Sequence, residues 1–299
     1  MKIGIDLGGS HIGVGIIQGG KVVYKVEKDL KDKEKGEENI LKLIILEVNS
    51  IISQNNLKLE EIEKIGIACP GILEKGVIRR ANNLKIEKTE IEDKLKKVFK
   101  NINIQVRNDA KCAALAEKEY GTLHGYNDSI MLTIGTGIGG AVFYNGSLLE
   151  GKKSSAFELG HMIINKNGEK CSCNSKGCFE AYASIGNLRK KVQKELKIEK
   201  EITGIELVKL LKNKDKNKTI DIILKDYINN LAIGIANLIN IFEPEIIALG
   251  GSIVYYEDII LQKLKDILEK EEYIFNKNNI PKIVMARLNN DAGMIGATI

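Results

Sequence analysis

Between Glu158 and Glu180 the chain reads ELGHMIINKNGEKCSCNSKGCFE. Three of its five cysteines, Cys171, Cys173 and Cys178, fall within eight residues, and His161, one of three histidines, lies ten residues before the first. One imidazole and three thiols suit tetrahedral zinc in a closed structural site, because a catalytic zinc keeps an open position and usually has fewer thiolates. The same residues also fit a reduced or redox-active Cys-x-Cys cluster, so the residue types leave two readings. A glutamate stands at each edge, and the reason for that frame lies elsewhere in the chain.

A second chemistry is written in glycine. IGIDLGGSHIGVGIIQGGKVV from Ile3 and MLTIGTGIGGAVFYNGSLL from Met131 share one pattern. Each is an apolar strand, a glycine-rich turn, a second strand, a tight turn (Gly19-Gly20 or Asn145-Gly146) and a third strand. Alternation at Ile12, Val14 and Ile16 predicts a strand after the first glycines, and Asn-Gly is a hairpin signal. A dinucleotide-binding glycine loop has to open a helix, and these open hairpins, which excludes a Rossmann site. A backbone turn approaches an anion closely only where no Cβ intervenes. Two such turns, with Gly250-Gly251 after the buried strand IIALGG, predict nucleotide-phosphate binding by two similar domains facing across a cleft.

The elements that must carry these residues alternate. Helices are expected over residues 38–52, 91–99, 109–120, 179–196 and 219–241, with strands at 64–68, 102–107 and after Pro244, and MIGA closing the chain as a helix. Alternating strands and helices argue an α/β architecture. The lysine-rich stretch 194–218 carries no chemistry and is expected to cap the second domain.

At 299 residues the chain suits one large domain or two ordinary ones, burying about three quarters of its extended surface. Hydrophobic content of 43% and charged content of 28% are those of a globular protein. No apolar run approaches the roughly 20 residues that span a bilayer. Met1 leads straight into a strand without a signal-peptide core. A cytosolic protein is expected, where disulfides are rare. The net charge of +5 comes with only five arginines, and its lysines are scattered among glutamates, so nucleic-acid binding is not expected.

DLGGS at Asp6, NDAKCAALAE at Asn108, GTGIGG at Gly135, ELGH at Glu158, CSCNSKGC at Cys171 with Glu180 following, LGG at Leu249 and DAGMIGA at Asp291 run in order along nearly the whole chain. In this combination the sequence resembles the ROK group (repressors, open reading frames and kinases) of sugar kinases. The resemblance implies an α/β, two-domain, actin-like or hexokinase-type ATPase fold of duplicated RNase H-like domains. Residues 1–107 plus 287–299 would form the smaller domain, and residues 108–286 the larger one with the zinc loop and dimer surface. It also implies Mg-ATP as donor, a hexose or N-acetylhexosamine as acceptor, structural zinc, and a cytoplasmic homodimer or homotetramer without nucleic-acid or membrane partners.

Carried over residue by residue, the resemblance makes Asp6 the acid that holds Mg²⁺ and its waters; the plain alternative is a strand-end turn former. Gly8, Gly9 and Ser10 would line one side of the phosphates, Gly135, Thr136 and Gly137 the other, and Gly250 and Gly251 would lie under the adenosine. Asp109 becomes the general base for the attacking sugar hydroxyl, expected to be the 6-OH, with a plain helix N-cap as its alternative. The helix N-terminus favours its ionised form, and a loose transition state asks for little base strength. Asn108, Glu158, His161 and Glu180 would hold sugar hydroxyls, with Gly71 and Asn83 as further sugar-side candidates. His161 would bind metal through one ring nitrogen and leave the other for a hydroxyl, coupling the metal to substrate orientation.

Three positions depart from the family pattern. Asn174 stands where glycine usually follows the second cysteine, and asparagine readily visits the left-handed region. His11 replaces a frequent lysine, and Phe157 a frequent glycine. Cys69 and Cys112 read as small buried residues, His124 as a loop residue. A glucokinase-type reaction is expected, with N-acetylmannosamine, fructose and allose kinases as alternatives. The different-class alternative is a non-catalytic sugar sensor or repressor. Repressors of the group carry a helix-turn-helix domain ahead of the first phosphate strand; here that strand begins at Lys2, which favours the kinase.

Overall fold

In the computed structural model, which describes residues 1–152 and 156–299, the chain divides into two units. Unit 1 comprises Met1–His124, Glu150–Ala156 and Asn290–Ile299; unit 2 comprises Gly125–Leu149 and Phe157–Asn289. The sequence-based boundary at 107 lies one helix earlier.

Unit 1 opens with an antiparallel meander of β1 (Lys2–Leu7), β2 (His11–Gln18) and β3 (Lys21–Asp29). Helix α1 (Glu37–Gln54) crosses to β4 (Lys64–Cys69), which runs parallel to β1. A hairpin of β5 (Ile72–Glu74) and β6 (Val77–Arg80) and helix α2 (Ile91–Val98) lead to β7 (Asn103–Asn108), parallel to β4, and then to α3 (Asp109–Tyr120). Parallel neighbours need such crossovers, whereas antiparallel ones need only a turn. Sheet order is β3-β2-β1-β4-β7. All six residues of β4 are buried, which is why KIGIAC reads as a nearly unbroken apolar run rather than an alternation.

Unit 2 repeats the plan. β8 (Ser129–Ile134), β9 (Ile138–Tyr144) and β10 (Ser147–Leu148) form the meander. Helices α4 (Phe179–Ala183), α5 (Ile185–Glu195), α6 (Gly204–Lys212) and α7 (Lys218–Phe242) precede β11 (Ile246–Gly250); α8 (Glu257–Lys270) precedes β12 (Lys282–Met285). The order β10-β9-β8-β11-β12, with the same parallel and antiparallel pairings, matches the first sheet. The last helix, α9 (Ala292–Ala297), returns to unit 1 and packs on β1, β4 and α3. That packing holds α3 in unit 1.

Helix α7 is long and apolar enough to cross a bilayer, but 61% of its apolar window is buried within the protein. Leu224, Leu231, Ile235 and Leu238 belong to the unit 2 core, so it is a core helix. The lysine-rich stretch contributes α6, whose Leu207 and Leu211 are fully buried in that core. One expected element is corrected: the helix predicted over 179–196 breaks at Ser184. This residue is extended (φ −77°, ψ 147°) and its hydroxyl caps α5 by accepting the Asn187 N–H. The break turns α5 so that the Gly186 N–H donates to the Gly135 carbonyl at 3.0 Å.

Candidate active site

In unit 1, Asp6 sits near the end of β1 and Asp109 directly after β7. Burial pushes the Asp6 carboxyl up to about 6; the Asp109 charge adds to the rise, and His11 opposes it. Burial also raises Asp109, against hydrogen bonds from the Ala110 and its own N–H groups. Two acids withdrawn from water, one lifted by the other, are what a divalent cation stabilises, and Mg²⁺ is commonly held by one or two carboxylates with substrate phosphates. The residues therefore fit Mg²⁺. α9 approaches closely enough that a Cβ at Gly293 would lie 3.0 Å from the Asp6 carboxylate. A cavity of about 430 Å³ is lined by Asp6, Ser10, His11, Glu27 and Asn290 among others.

The helix cap is Asn108, not Asp109. The Asn108 side chain accepts the Lys111 N–H at 3.2 Å and donates to the Gly71 carbonyl at 3.3 Å. Gly71 has φ +102°, and a Cβ there would come within 2.2 Å of the Arg80 carbonyl, so glycine is required. Asn83 packs beside Gly9, its Cβ 2.9 Å from where a Gly9 Cβ would stand. The His11 ring lies against Gly8.

The two glycine turns are narrower in function than their composition suggests. The Gly8 N–H donates to the His11 carbonyl and the Gly135 N–H to the Gly137 carbonyl, both at 2.9 Å. Among the described residues no acceptor takes the N–H of Gly9, Ser10, Thr136 or Gly137, so these are the donors a phosphate can use.

Unit 2 gathers the other predicted residues. Gly135 faces Ser252, and Gly251 (φ +78°) packs on the Ile134 carbonyl, which joins the second turn to Gly250-Gly251. Glu180 lies on the other side of that turn: its Oε2 accepts the Ile138 N–H at 2.9 Å, and a Cβ at Gly137 would sit 2.3 Å from it. Helix α4 is seated by Phe179, whose ring occupies the space a side chain at Gly234 of α7 would need. Glu158 precedes a short turn in which its carbonyl accepts the His161 N–H at 2.9 Å.

His161, Cys171, Cys173 and Cys178 bring four donor atoms within 4.8 Å of one another. Cys171 Sγ is 3.7 Å from His161 Nδ1, and Cys173 Sγ is 3.6 Å from Cys178 Sγ. Tetrahedral zinc with Zn–S near 2.3 Å has ligand-to-ligand edges of about 3.7 Å, so the set fits zinc. All three cysteines are unbridged. Burial raises the Cys173 thiol, but hydrogen bonds from Ser175, Cys171 and Cys178 outweigh it and bring it down to about 7. Burial and the neighbouring sulfurs push Cys178 up to about 12, which a cation would reverse. Asn174 adopts φ +72°, the left-handed conformation asparagine tolerates. Phe157 is also left-handed (φ +65°), with its ring tilted on Phe242 at 6.5 Å, on the core side.

The Ser184 cap and the Gly186 bond that steadies the second glycine turn were invisible in the sequence. The available signal was a serine two residues before a glycine inside an apolar helical pattern.

A repeated sheet order with a glycine turn after the first strand of each copy defines the two-unit fold of actin-like, hexokinase type. The ROK hexokinase of Thermus thermophilus matches this chain with a TM-score of 0.80 at 28% identity, over 99% of this chain and 96% of that one. The chain belongs to the ROK family, whose model matches residues 2–299. A glucokinase of Thermotoga maritima is 32% identical over 318 residues, 99% of this chain and 95% of the glucokinase. A xylose repressor of Caldicellulosiruptor bescii is 29% identical over 309 residues, 98% of this chain and 76% of the repressor.

Proposed function

We propose that this chain is a cytoplasmic, homo-oligomeric, ATP-dependent hexose kinase of glucokinase type, which phosphorylates a sugar hydroxyl, the 6-OH of glucose first. The observation that carries the reading is the Asp6–Asp109 pair: two water-deprived carboxylates, the first lifted further by the charge of the second, in the unit that also holds the Gly9 and Ser10 N–H donors. The Thermotoga glucokinase, similar over nearly its whole length, supports it.

Asp109 takes the proton of the attacking hydroxyl, and its raised pKa makes it a better base than an exposed aspartate. Asp6 would hold the Mg²⁺ that accompanies ATP, which would supply charge neutralisation for the transferred phosphoryl group. The N–H groups of Gly9, Ser10, Thr136 and Gly137 receive phosphate oxygens, and Gly250 and Gly251 leave room for the adenosine. Asn108, Glu158, His161 and Glu180 orient the sugar, with Gly71 and Asn83 beside them. The zinc loop of His161, Cys171, Cys173 and Cys178 fixes the sugar-binding side chains of unit 2.

A second reading, a sugar-responsive protein without turnover, is favoured by the Caldicellulosiruptor repressor relative. ADP release measured with glucose, mannose, fructose, N-acetylglucosamine and N-acetylmannosamine separates the two. Turnover is expected, fastest on glucose. Sugar binding without ADP release would establish the sensor instead.

A further inference from the structure

Ser172 lies between two of the clustered cysteines, and its hydroxyl donates to Glu180 Oε1 at 2.7 Å. Cys171 Sγ is 3.7 Å from the same oxygen. The other oxygen, Oε2, takes the Ile138 N–H at 2.9 Å. The Glu180 backbone is fixed independently, because Phe179 next to it is fully buried against α7. One carboxylate is thus held at three points: its helix, the residue that follows the second glycine turn, and the cysteine loop. A carboxylate accepts about four hydrogen bonds, and Ile138, Ser172 and Cys171 occupy three, so one further direction stays open for a ligand.

These three holds are not equivalent. The Ile138 tie is main-chain and belongs to the sheet; the helix seat is core packing. The ties that depend on the closure of the cysteine loop are the short Ser172 hydroxyl bond and the long Cys171 contact at 3.7 Å. The Ser172 bond to an ionised acceptor is of the stronger, charge-assisted kind. A second tie runs between the same loop and α4, where the Tyr182 hydroxyl accepts the Glu169 N–H at 2.7 Å, but it does not touch Glu180.

We propose that Ser172 is a positioning residue through which the metal loop sets the Glu180 carboxylate for the acceptor sugar; the proposal rests on the kinase reading above. Without the hydroxyl, Glu180 keeps its helix, its Ile138 bond and the long Cys171 contact, but loses its one short bond to the loop, so its plane is less closely fixed. A sugar hydroxyl then meets a carboxylate of less defined plane. Loss of such an outer partner costs about 10–100-fold in comparable ligand shells, and the exposed Ser172 should lie at the lower end.

The test uses the full-length protein, its metal content measured, with whichever hexose supports ADP release. Ser172→Ala should raise the KM and the calorimetric Kd for that hexose about tenfold. The ATP KM, kcat and zinc stoichiometry should stay near wild type, and Ser172→Thr should restore sugar affinity. Tyr182→Phe should lower thermal stability without moving the sugar KM. Unchanged sugar affinity in Ser172→Ala, alongside its loss in Glu180→Gln, overturns the proposal and leaves the kinase reading standing. So does a loss of zinc in Ser172→Ala proportional to the loss of activity, which would make Ser172 a plain support of the loop. A wild-type chain that binds none of the hexoses overturns the kinase reading itself.

Discussion

The two sheets share strand order and hairpin plan but not charge. Asp6 pairs with Gly13 across β1 and β2, and at the matching place across β8 and β9 Thr133 pairs with Gly139. The turns differ too. Leu7 and Ile12 close a four-residue turn in unit 1, whereas Ile134 and Ile138 close a three-residue one in unit 2. Unit 1 carries Asp6 and Asp109 at its strand ends; unit 2 carries the sulfur cluster and, at its turn, neutral N–H groups with the Glu180 carboxylate brought to them by α4. The duplicated hairpin is therefore a generic way of presenting main-chain donors at a strand end. The first strand itself carries a buried charge in one copy only, and the cost is legible in Asp6: burial and the Asp109 charge lift its pKa to about 6.

The largest effect that can break this division concerns Asp109. Asp109→Ala should lower kcat by about 10²–10⁴, the usual range for a lost general base. The variant should remain folded by circular dichroism, because the α3 cap belongs to Asn108. Near-normal turnover in the folded variant would remove the proton-transfer role from unit 1.

Next in size is a pH effect on stability. The folded pKa of Asp6 is raised from 3.8 to about 6, so between those values the folded state binds the proton that the unfolded state has released. Stability contributed by this group is then present at low pH and declines as pH rises from about 4 to 6, by on the order of 3 kcal/mol in all. Paired surface carboxylates such as Asp32 and Glu63, whose pKa values are lowered by Lys85 and the N-terminus, act in the opposite direction. The difference between wild type and Asp6→Asn isolates the term. In denaturant unfolding without divalent ions the variant should gain on wild type as pH rises through that window, and Mg²⁺ should shrink the gap. Parallel curves would mean that Asp6 is no more strained than an ordinary strand-end acid.

Much of this was readable from residue order. The meanders were legible because a strand writes period-two alternation and a hairpin writes its turn in glycine, and the duplication let each copy confirm the other. The His/Cys cluster was legible because His161, Cys171, Cys173 and Cys178 are close in sequence as well as in space. The break at Ser184 was not. AYASIGN keeps a helical apolar pattern, and what stops the helix is a capping hydroxyl together with a Gly135 carbonyl waiting 3.0 Å from the Gly186 N–H. The choice between Asn108 and Asp109 as cap was also hidden, since both are good caps and only the register of β7 decides. α3 falls in unit 1 because of α9, which lies some 170 residues further along the chain and leaves no local trace.

The smallest effect gives the sharpest form of the comparison. Thr133 holds the Asp6 position of the second sheet, so Thr133→Ala asks whether that place carries chemistry in both copies. If the strand-end charge acts in unit 1 alone, removing this hydroxyl should cost no more than about 0.5 kcal/mol, roughly a twofold change in kcat/KM, as for substitutions away from special features. The Mg²⁺ concentration giving half-maximal rate should not move, whereas Asp6→Asn should raise it well beyond twofold. A Thr133→Ala enzyme that needs more Mg²⁺, in step with Asp6→Asn, would show that the second hairpin shares the cation. The asymmetry between the copies would then lie in turn length, four residues against three, and not in charge.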